Sequence, residues 1–406
     1  MGEEYEDDSV HLFEGHTAGV YAVAWSPASR DLVATGGGDD RAFVWRAGED
    51  ALAGNHAAEL ELAGHGDTVS ALAFSGDGGA LASGGMDGCV RVWDPSTGAC
   101  LHVLEGPGEA VEWVRWHPRG KVVLAGAADF TAWMWSAATG ACMQVFTGHA
   151  GPVTCGGFTP DGKMVVTGGG EGDAALRVWD PKTGECRATV QGLHFHAAGL
   201  TSLALHADSA VALTGGEDGS ARVVSLEAGR VVGALSGHGE DQSVEAVAFL
   251  PGQPLLAATA ALDGKLIIWD VATSTARAVC EHPEVSGGRG AAGRRRAWVG
   301  GSAGRQWGGE GAGRGACGPR TRHPTTFSPL LLQGITRLAC HPTEPLVFSG
   351  CIDGAVRCWD ARTGACTHTF RGHAEAVQDL AVSPDGSMVL SGSEDGTARV
   401  FSLMHP

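Results

Sequence analysis

Read from Gly64, the chain runs GHGDTVSALAFSGDGGALASGGMDGCVRVWD. Apolar residues alternate with small or polar ones through VSALAF, stop at a polar turn, resume in LASGG, turn again at MDG and finish in VRVW. A period of two bounded by Gly and Asp predicts short antiparallel strands joined by hairpins. This pattern returns along the whole chain, its third strand ending on Trp45, Trp93, Trp135, Trp179, Val224, Trp269, Trp359 and Phe401. An aspartate stands six residues before every one of these anchors: Asp39, Asp87, Asp129, Asp173, Asp218, Asp263, Asp353 and Asp395. Successive anchors lie 42 to 48 residues apart, except for 90 between Trp269 and Trp359. A unit of this length cannot bury its own apolar face and must stack on its neighbours, so the expected fold is all-β, a β-propeller of eight blades.

Two dipeptides recur in the unit. Gly-His stands at Gly15-His16, Gly64-His65, Gly148-His149, Gly237-His238 and Gly372-His373, and Trp-Asp follows the third strand at Trp93, Trp179, Trp269 and Trp359. These positions resemble the WD-repeat family, and the resemblance runs from about Val10 to Leu403 with one interruption. In that family a His before the first strand, a Ser or Thr in the second, the turn Asp and the Trp form a hydrogen-bonded set that fixes each blade. The resemblance therefore implies structural roles for His16, Thr35, Asp39 and Trp45 in blade one and for His65, Ser83, Asp87 and Trp93 in blade two. It implies the same for His149, Asp173 and Trp179, for Asp218, for His238, Asp263 and Trp269, for Asp353 and Trp359, and for His373 and Asp395. Blade three has Ala125 and no His, blade five ends on Val224 and blade eight on Phe401, so these three are expected to be tied less rigidly.

The two ends of the chain complement each other. ARVFSLMHP stops after the third strand of blade eight, while SVHLF before Gly15 has no blade of its own. Residues near Val10 to Phe13 are expected to pair with the strand around Arg399 to Ser402, closing the WD40 β-propeller and removing an exposed sheet edge. The organisation expected is an acidic tail over residues 1–8 and a propeller over 9–406, interrupted at 285–333.

Composition narrows the function. Lys and Arg number 28 against 46 Asp and Glu, a formal charge of −18, which disfavours nucleic acid and anionic membranes and favours basic partners. The 11 Cys include no CxxC pair, and four of them (Cys100, Cys142, Cys186, Cys366) fall seven residues after a Trp as products of the repeat. They read as reduced thiols, with no metal site and no disulfide framework. The acidic start MGEEYEDDSV lacks the basic and apolar regions of a secretory signal, so a cytoplasmic protein is expected, with the nucleus open as a second compartment. No GK[ST] after a Gly-rich loop, no HExxH and no GxSxG occurs, which leaves enzyme chemistry without a candidate and implies no cofactor.

The segment Val285 to Gln333 departs from everything around it. Its 49 residues hold 13 Gly, 8 Arg, no Lys and one acid, Glu310, giving +7 and leaving −25 for the rest. A functional loop, an Arg-Gly nucleic-acid tail and a translated intron are the three readings. The intron is the expectation carried forward. Val-Ser-Gly can be encoded as a splice donor directly after Glu284, HPTTFSPLLLQ as a pyrimidine-rich acceptor before Gly334, and the 49 codons keep frame.

The stretches TGGGDDRAFVWRAGED, EWVRWHPRGKVVLAGAADFTAWMW and CIDGAVRCWDARTG, behind an acidic start, resemble one branch of the WD-repeat family. Its fungal members chaperone the universal ribosomal protein uL16 by holding its basic N-terminus on the propeller's top face, and its animal members are linked to cell migration. The resemblance implies a non-enzymatic, monomeric protein-binding platform for a basic ribosomal protein segment. A general signalling scaffold is the alternative. The turns carrying Gly-His and Gly-Asp fall on one face, where Asp40, Glu171, Glu217 and Glu394 are not used by blade sets. Four residues before the end of each first strand stand Tyr21, Ser70, Glu112, Thr154, Thr201, Glu245, Thr336 and Gln378, which are expected to line the channel mouth. A basic peptide would lie against Glu112 and Glu245, with Tyr21, Trp113 or Trp116 supplying apolar or cation–π contact.

Overall fold

The structure is a computed structural model that describes residues 7–47, 60–208, 210–240, 242–253, 256–282 and 334–403. Among these residues every regular element is a β-strand, and the strands form eight four-stranded antiparallel sheets. Blade two shows the plan: an inner strand Val69–Phe74, then Leu81–Gly85, Val90–Trp93 and an outer strand Cys100–Leu104, each hydrogen-bonded to the one before it. The chain passes from the outer strand of one blade to the inner strand of the next, so blades follow one another around a central axis.

Blade eight is completed from the other end of the chain. His11–Phe13 pairs antiparallel with Ala398–Ser402, setting His11 opposite Val400 and Phe13 opposite Ala398. Closure begins earlier than expected, because two residues assigned to the acidic tail take part. Asp8 donates its amide to the Arg371 carbonyl at 3.0 Å and accepts the Arg371 amide at 2.7 Å, and the Asp7 carboxylate receives the Arg399 guanidinium. The ring is thus joined by a three-residue strand and by a charge pair at one seam.

The core lies between blades rather than within them. Ala34, Ala42, Val44 and Leu62 of blade one pack against Val69, Leu72, Leu81 and Trp93 of blade two, all buried, and corresponding clusters fill the other interfaces. Burying a Leu or Trp of this kind contributes roughly 1.5–3 kcal/mol, so each blade depends on its neighbours for stability.

The hydrogen-bonded sets form where the aspartates predicted them. In blade two His65 reaches Ser83 Oγ through Nε2 at 2.7 Å and Asp87 through Nδ1 at 3.1 Å, while Trp93 Nε1 donates to the same Ser83 hydroxyl at 2.8 Å. Blade six repeats this with His238, Thr259, Asp263 and Trp269, and blade four with His149, Thr167, Asp173 and Trp179 despite its longer turn. In blade eight His373 joins Ser391 and Asp395. Blade five, expected to be weak, gains a histidine that the Gly-His pattern did not reveal: His196 bonds Thr214 at 2.8 Å and Asp218 at 3.1 Å. Blade seven uses His282, which contacts Arg357 at 3.0 Å, while Arg357 in turn holds Asp353 at 2.6 Å and Trp359 donates to Ser349 at 2.9 Å.

Blade one requires a correction. His16 bonds Asp39 at 2.9 Å and Thr35 at 3.0 Å as expected, yet the Trp45 indole N–H is buried without an acceptor. The cause lies in the closing strand. Phe13 stacks on Trp45 at a centroid distance of 4.9 Å and 1° between planes, and His11 stacks at 5.0 Å, so ring packing replaces the hydrogen bond.

Candidate peptide-binding face

One irregularity recurs in all eight blades. Pairing between the inner strand and the second strand slips at its second residue, between Val20 and Ala22, Val69 and Ala71, Val111 and Trp113, and at the five equivalent places. A β-bulge leaves one residue unpaired and re-aims its side chain. The bulged residues are Tyr21, Ser70, Glu112, Thr154, Thr201, Glu245, Thr336 and Gln378, the same eight positions that the sequence singles out.

Four of them are structural. Ser70 donates to the Val111 carbonyl at 2.6 Å, Thr154 to Leu200 at 2.5 Å and Thr336 to Val377 at 2.6 Å, while Thr201 reaches Val244, each carbonyl opening the next blade's inner strand. Hydroxyls here bridge adjacent blades. The other four positions carry Tyr21, Glu112, Glu245 and Gln378, whose longer side chains are half-buried. Burial pushes the Glu112 carboxyl above the usual range, and burial likewise raises Glu245, against the Ser243 side chain and the charge of Arg337 and with a smaller push from Glu217.

The acids form two groups. Across blades four to six, Glu217 is raised by burial and then by its neighbour Glu171, and Glu217 in turn acts on Glu245. Where blade eight meets blade one, Gln378 donates to Glu394 at 2.8 Å, and Tyr21 is raised by burial and by Glu394 and Glu375. Asp40 stands on the same face, in a left-handed turn with φ of 65° next to His65. Among the described residues no Lys or Arg forms an ion pair with Glu112, Glu171 or Glu217. Glu171 and Glu217 repel without a paired cation while Arg337 partly offsets Glu245, and a cationic ligand relieves the repulsion that is left.

Trp113 does not belong to this surface. It is 5% exposed, donates its indole N–H to the Val153 carbonyl at 2.9 Å and packs against Phe146, Phe158 and Trp179. Adjacent residues of a strand face opposite sides, so with Glu112 turned outward Trp113 turns inward, and alternation alone already excludes the pair from sharing one surface. Trp116 is likewise engaged, donating to the Ala73 carbonyl at 2.8 Å.

Charged residues that the sequence reading passed over stand deeper in the axis. Asp379 accepts the Val23 amide at 2.9 Å and lies 3.7 Å from the Arg337 guanidinium, joining blades seven, eight and one. Burial raises Asp379, and Arg337 and Arg115 counter it. The legible signal was a charge within an apolar alternation, in VEWVRW, ITRLAC and VQDLAV. Among the described residues no group of three or more His, Cys, Asp and Glu could hold a metal ion.

This geometry defines a protein-interaction propeller, and comparison with known proteins agrees. The model of the WD domain, G-beta repeat, matches eight times, at residues 7–46, 58–94, 98–136, 140–180, 184–225, 229–270, 331–360 and 364–402, and the chain belongs to the WD-repeat family. Within it the chain is 35% identical to the human angio-associated migratory cell protein, over 99% of this chain and 82% of that protein. An uncharacterized WD repeat-containing protein of Schizosaccharomyces pombe is 31% identical over 100% of this chain and 89% of its own. Among solved structures, Sqt1 from Chaetomium thermophilum superposes with a TM-score of 0.78 at 23% identity, covering 98% of this chain and 99% of that one. A second structure shows Sqt1 bound to the N-terminus of the ribosomal protein L10, with a TM-score of 0.77, 23% identity and coverage of 98% and 100%.

Proposed function

We propose that this propeller is a non-enzymatic chaperone or assembly factor that holds a basic N-terminal segment of a uL16-type ribosomal protein on its top face during large-subunit biogenesis. The observation that carries this reading is the group Glu171, Glu217 and Glu245, whose carboxylates act on one another across blades four to six. Glu112 extends the acidic ring at the channel mouth, and Asp40, Glu394, Gln378 and Tyr21 continue it at blades eight and one. The solved relative bound to a ribosomal protein N-terminus supports the choice of ligand. The protein works as a cytoplasmic monomer with access to the nucleus, and it binds protein without cofactor, nucleic acid or membrane.

The test is a double charge reversal, Glu112→Lys with Glu245→Lys, assayed for capture of a uL16 N-terminal peptide. Capture should be lost while circular dichroism and melting temperature stay near wild type. Undiminished affinity in the folded double variant would show that the peptide, if it binds, uses another surface. Because exposed charge pairs are screened over roughly 8 Å at physiological salt, wild-type affinity should also fall as salt rises.

A further inference from the structure

The turn between the second and third strands places the residue after its aspartate in the left-handed region, a conformation glycine adopts without steric cost. Gly88, Gly219, Gly264, Gly354 and Gly396 occupy it at φ of 77°, 72°, 76°, 81° and 82°. These glycines also press against the following blade: a Cβ added at Gly88, Gly354 or Gly396 would lie 3.1, 2.6 or 3.3 Å from one of its carbonyl oxygens. Blades one and four carry Asp40 and Ala174 there, at φ of 65° and 46°, and in blade three the residue is Phe130, at φ of 71°. An aromatic side chain there takes on backbone strain. Phe130 is 44% exposed. Strain of this sort persists where the surroundings enforce it and concentrates at functional positions.

The surroundings do enforce it. The Gly108 amide donates to Asp129 at 2.8 Å and the Ala128 amide donates to the Ala110 carbonyl at 2.9 Å, fixing the turn against the segment that leads into Glu112. Those two bonds bracket an exposed acid, Glu109, beside the Phe130 turn. An exposed aromatic residue and an exposed acid on two segments bonded to each other offer what a guanidinium takes, the ring by cation–π attraction and the acid by charge.

We propose that Phe130, with Glu109, is an anchor for an arginine side chain of the bound basic segment, so that the ligand crosses the channel mouth from blade three toward Glu217 and Glu245. This inference rests on the top-face reading of the function. The experiment measures melting temperature and uL16 N-terminal peptide affinity for wild type, Phe130→Gly, Phe130→Leu and the Glu112→Lys/Glu245→Lys double variant. Phe130→Gly relieves the left-handed strain and should melt higher than wild type while binding about fivefold to tenfold more weakly. Phe130→Leu keeps apolar bulk without a π face and should lose nearly as much affinity, which keeps the test decisive if the glycine variant misfolds. Substituting glutamine for the arginines of the peptide should remove the difference between Phe130→Leu and wild type. Wild-type affinity in both Phe130 variants, with binding abolished in the double variant, would overturn the anchor and leave the functional reading standing. Wild-type affinity in all three would overturn both.

Discussion

Blades two and three are adjacent and solve one problem differently. In blade two a string of polar groups, Asp87, His65, Ser83 and Trp93, runs from the top turn into the interior. Blade three has Ala125 where Ser83 would stand and no histidine. The Trp135 indole donates instead to the Glu105 carbonyl at 3.3 Å, Trp133 stacks on Trp135 at 5.9 Å and donates to Thr131 at 2.7 Å. What both keep is the aspartate. Asp129 accepts the amides of Gly108 and Thr131, as Asp87 accepts those of Gly66 and Cys89. The indispensable job is therefore satisfying backbone donors at the turn, whereas the interior string can be replaced whole by apolar and aromatic packing. That matches the general asymmetry of buried hydrogen bonds: removing both partners costs little, and orphaning one costs much. Blade three is tied by other contacts rather than tied loosely, and the freedom leaves its top turn able to carry Phe130.

The largest effect should come from breaking the string at its shared member. Ser83→Ala strands both the His65 ring nitrogen and the Trp93 indole in a site with no solvent access, and should cost about 2–4 kcal/mol in denaturant unfolding. The reciprocal change in blade three, Ala125→Ser, buries a hydroxyl beside no histidine and should cost only about 1–2 kcal/mol. Equal losses for the two would contradict the comparison.

Acid should also weaken the ring. Burial and the charge of Arg357 hold the His282 imidazole down at about 4, against 6.5 for the free side chain. The folded state therefore keeps His282 neutral where the unfolded chain binds a proton. Its contribution is complete above about pH 6.5 and is lost as pH falls toward 4, roughly 3 kcal/mol in all. The buried His16 and His65 shift in the same direction, burial being the main cause. Melting temperature followed from pH 7 to pH 4 should fall steadily, and more shallowly in His282→Gln.

The smallest effect separates two tryptophans. Trp45 makes no indole hydrogen bond, so Trp45→Phe should change stability by less than about 1 kcal/mol, whereas Trp93→Phe orphans part of the Ser83 site and should cost about 1–2 kcal/mol. Urea titration of both variants decides the point.

Most of the fold was legible because the repeat writes one physical rule eight times. The aspartate six residues before each anchor located every blade, including those lacking Trp or Gly-His, since the turn it stabilises is common to all. His196 was hidden because no glycine precedes it in LHFHAAG, yet it stands 22 residues before Asp218, as His65 does before Asp87 and His373 before Asp395. His282 stands 71 residues before Asp353, and taking out the 49 residues of 285–333 leaves 71 − 49 = 22, the spacing of the other blades, so the segment is an insertion between His282 and its aspartate, whether loop or intron. The insertion itself lies outside the described residues. The site was less legible. The eight bulged positions were located by counting, but the bulge itself gave no sign in the alternation, and Trp113 was put beside Glu112 against the period of two, which sends neighbours to opposite sides. Phe130 carries no repeat signal, because its meaning arises from the backbone angle and the neighbouring carbonyl oxygens.

The central claim, that the acidic top face receives a basic segment, is tested most directly by hydrogen exchange of the full chain with and without a uL16 N-terminal peptide. The account predicts slowed exchange at the top turns around residues 108–112, 128–131, 171–172 and 217–218, with the outer strands such as Cys100–Leu104 and Cys142–Phe146 unchanged. Protection confined to the outer strands or to the opposite face, with the top turns exchanging as in the free protein, would contradict it.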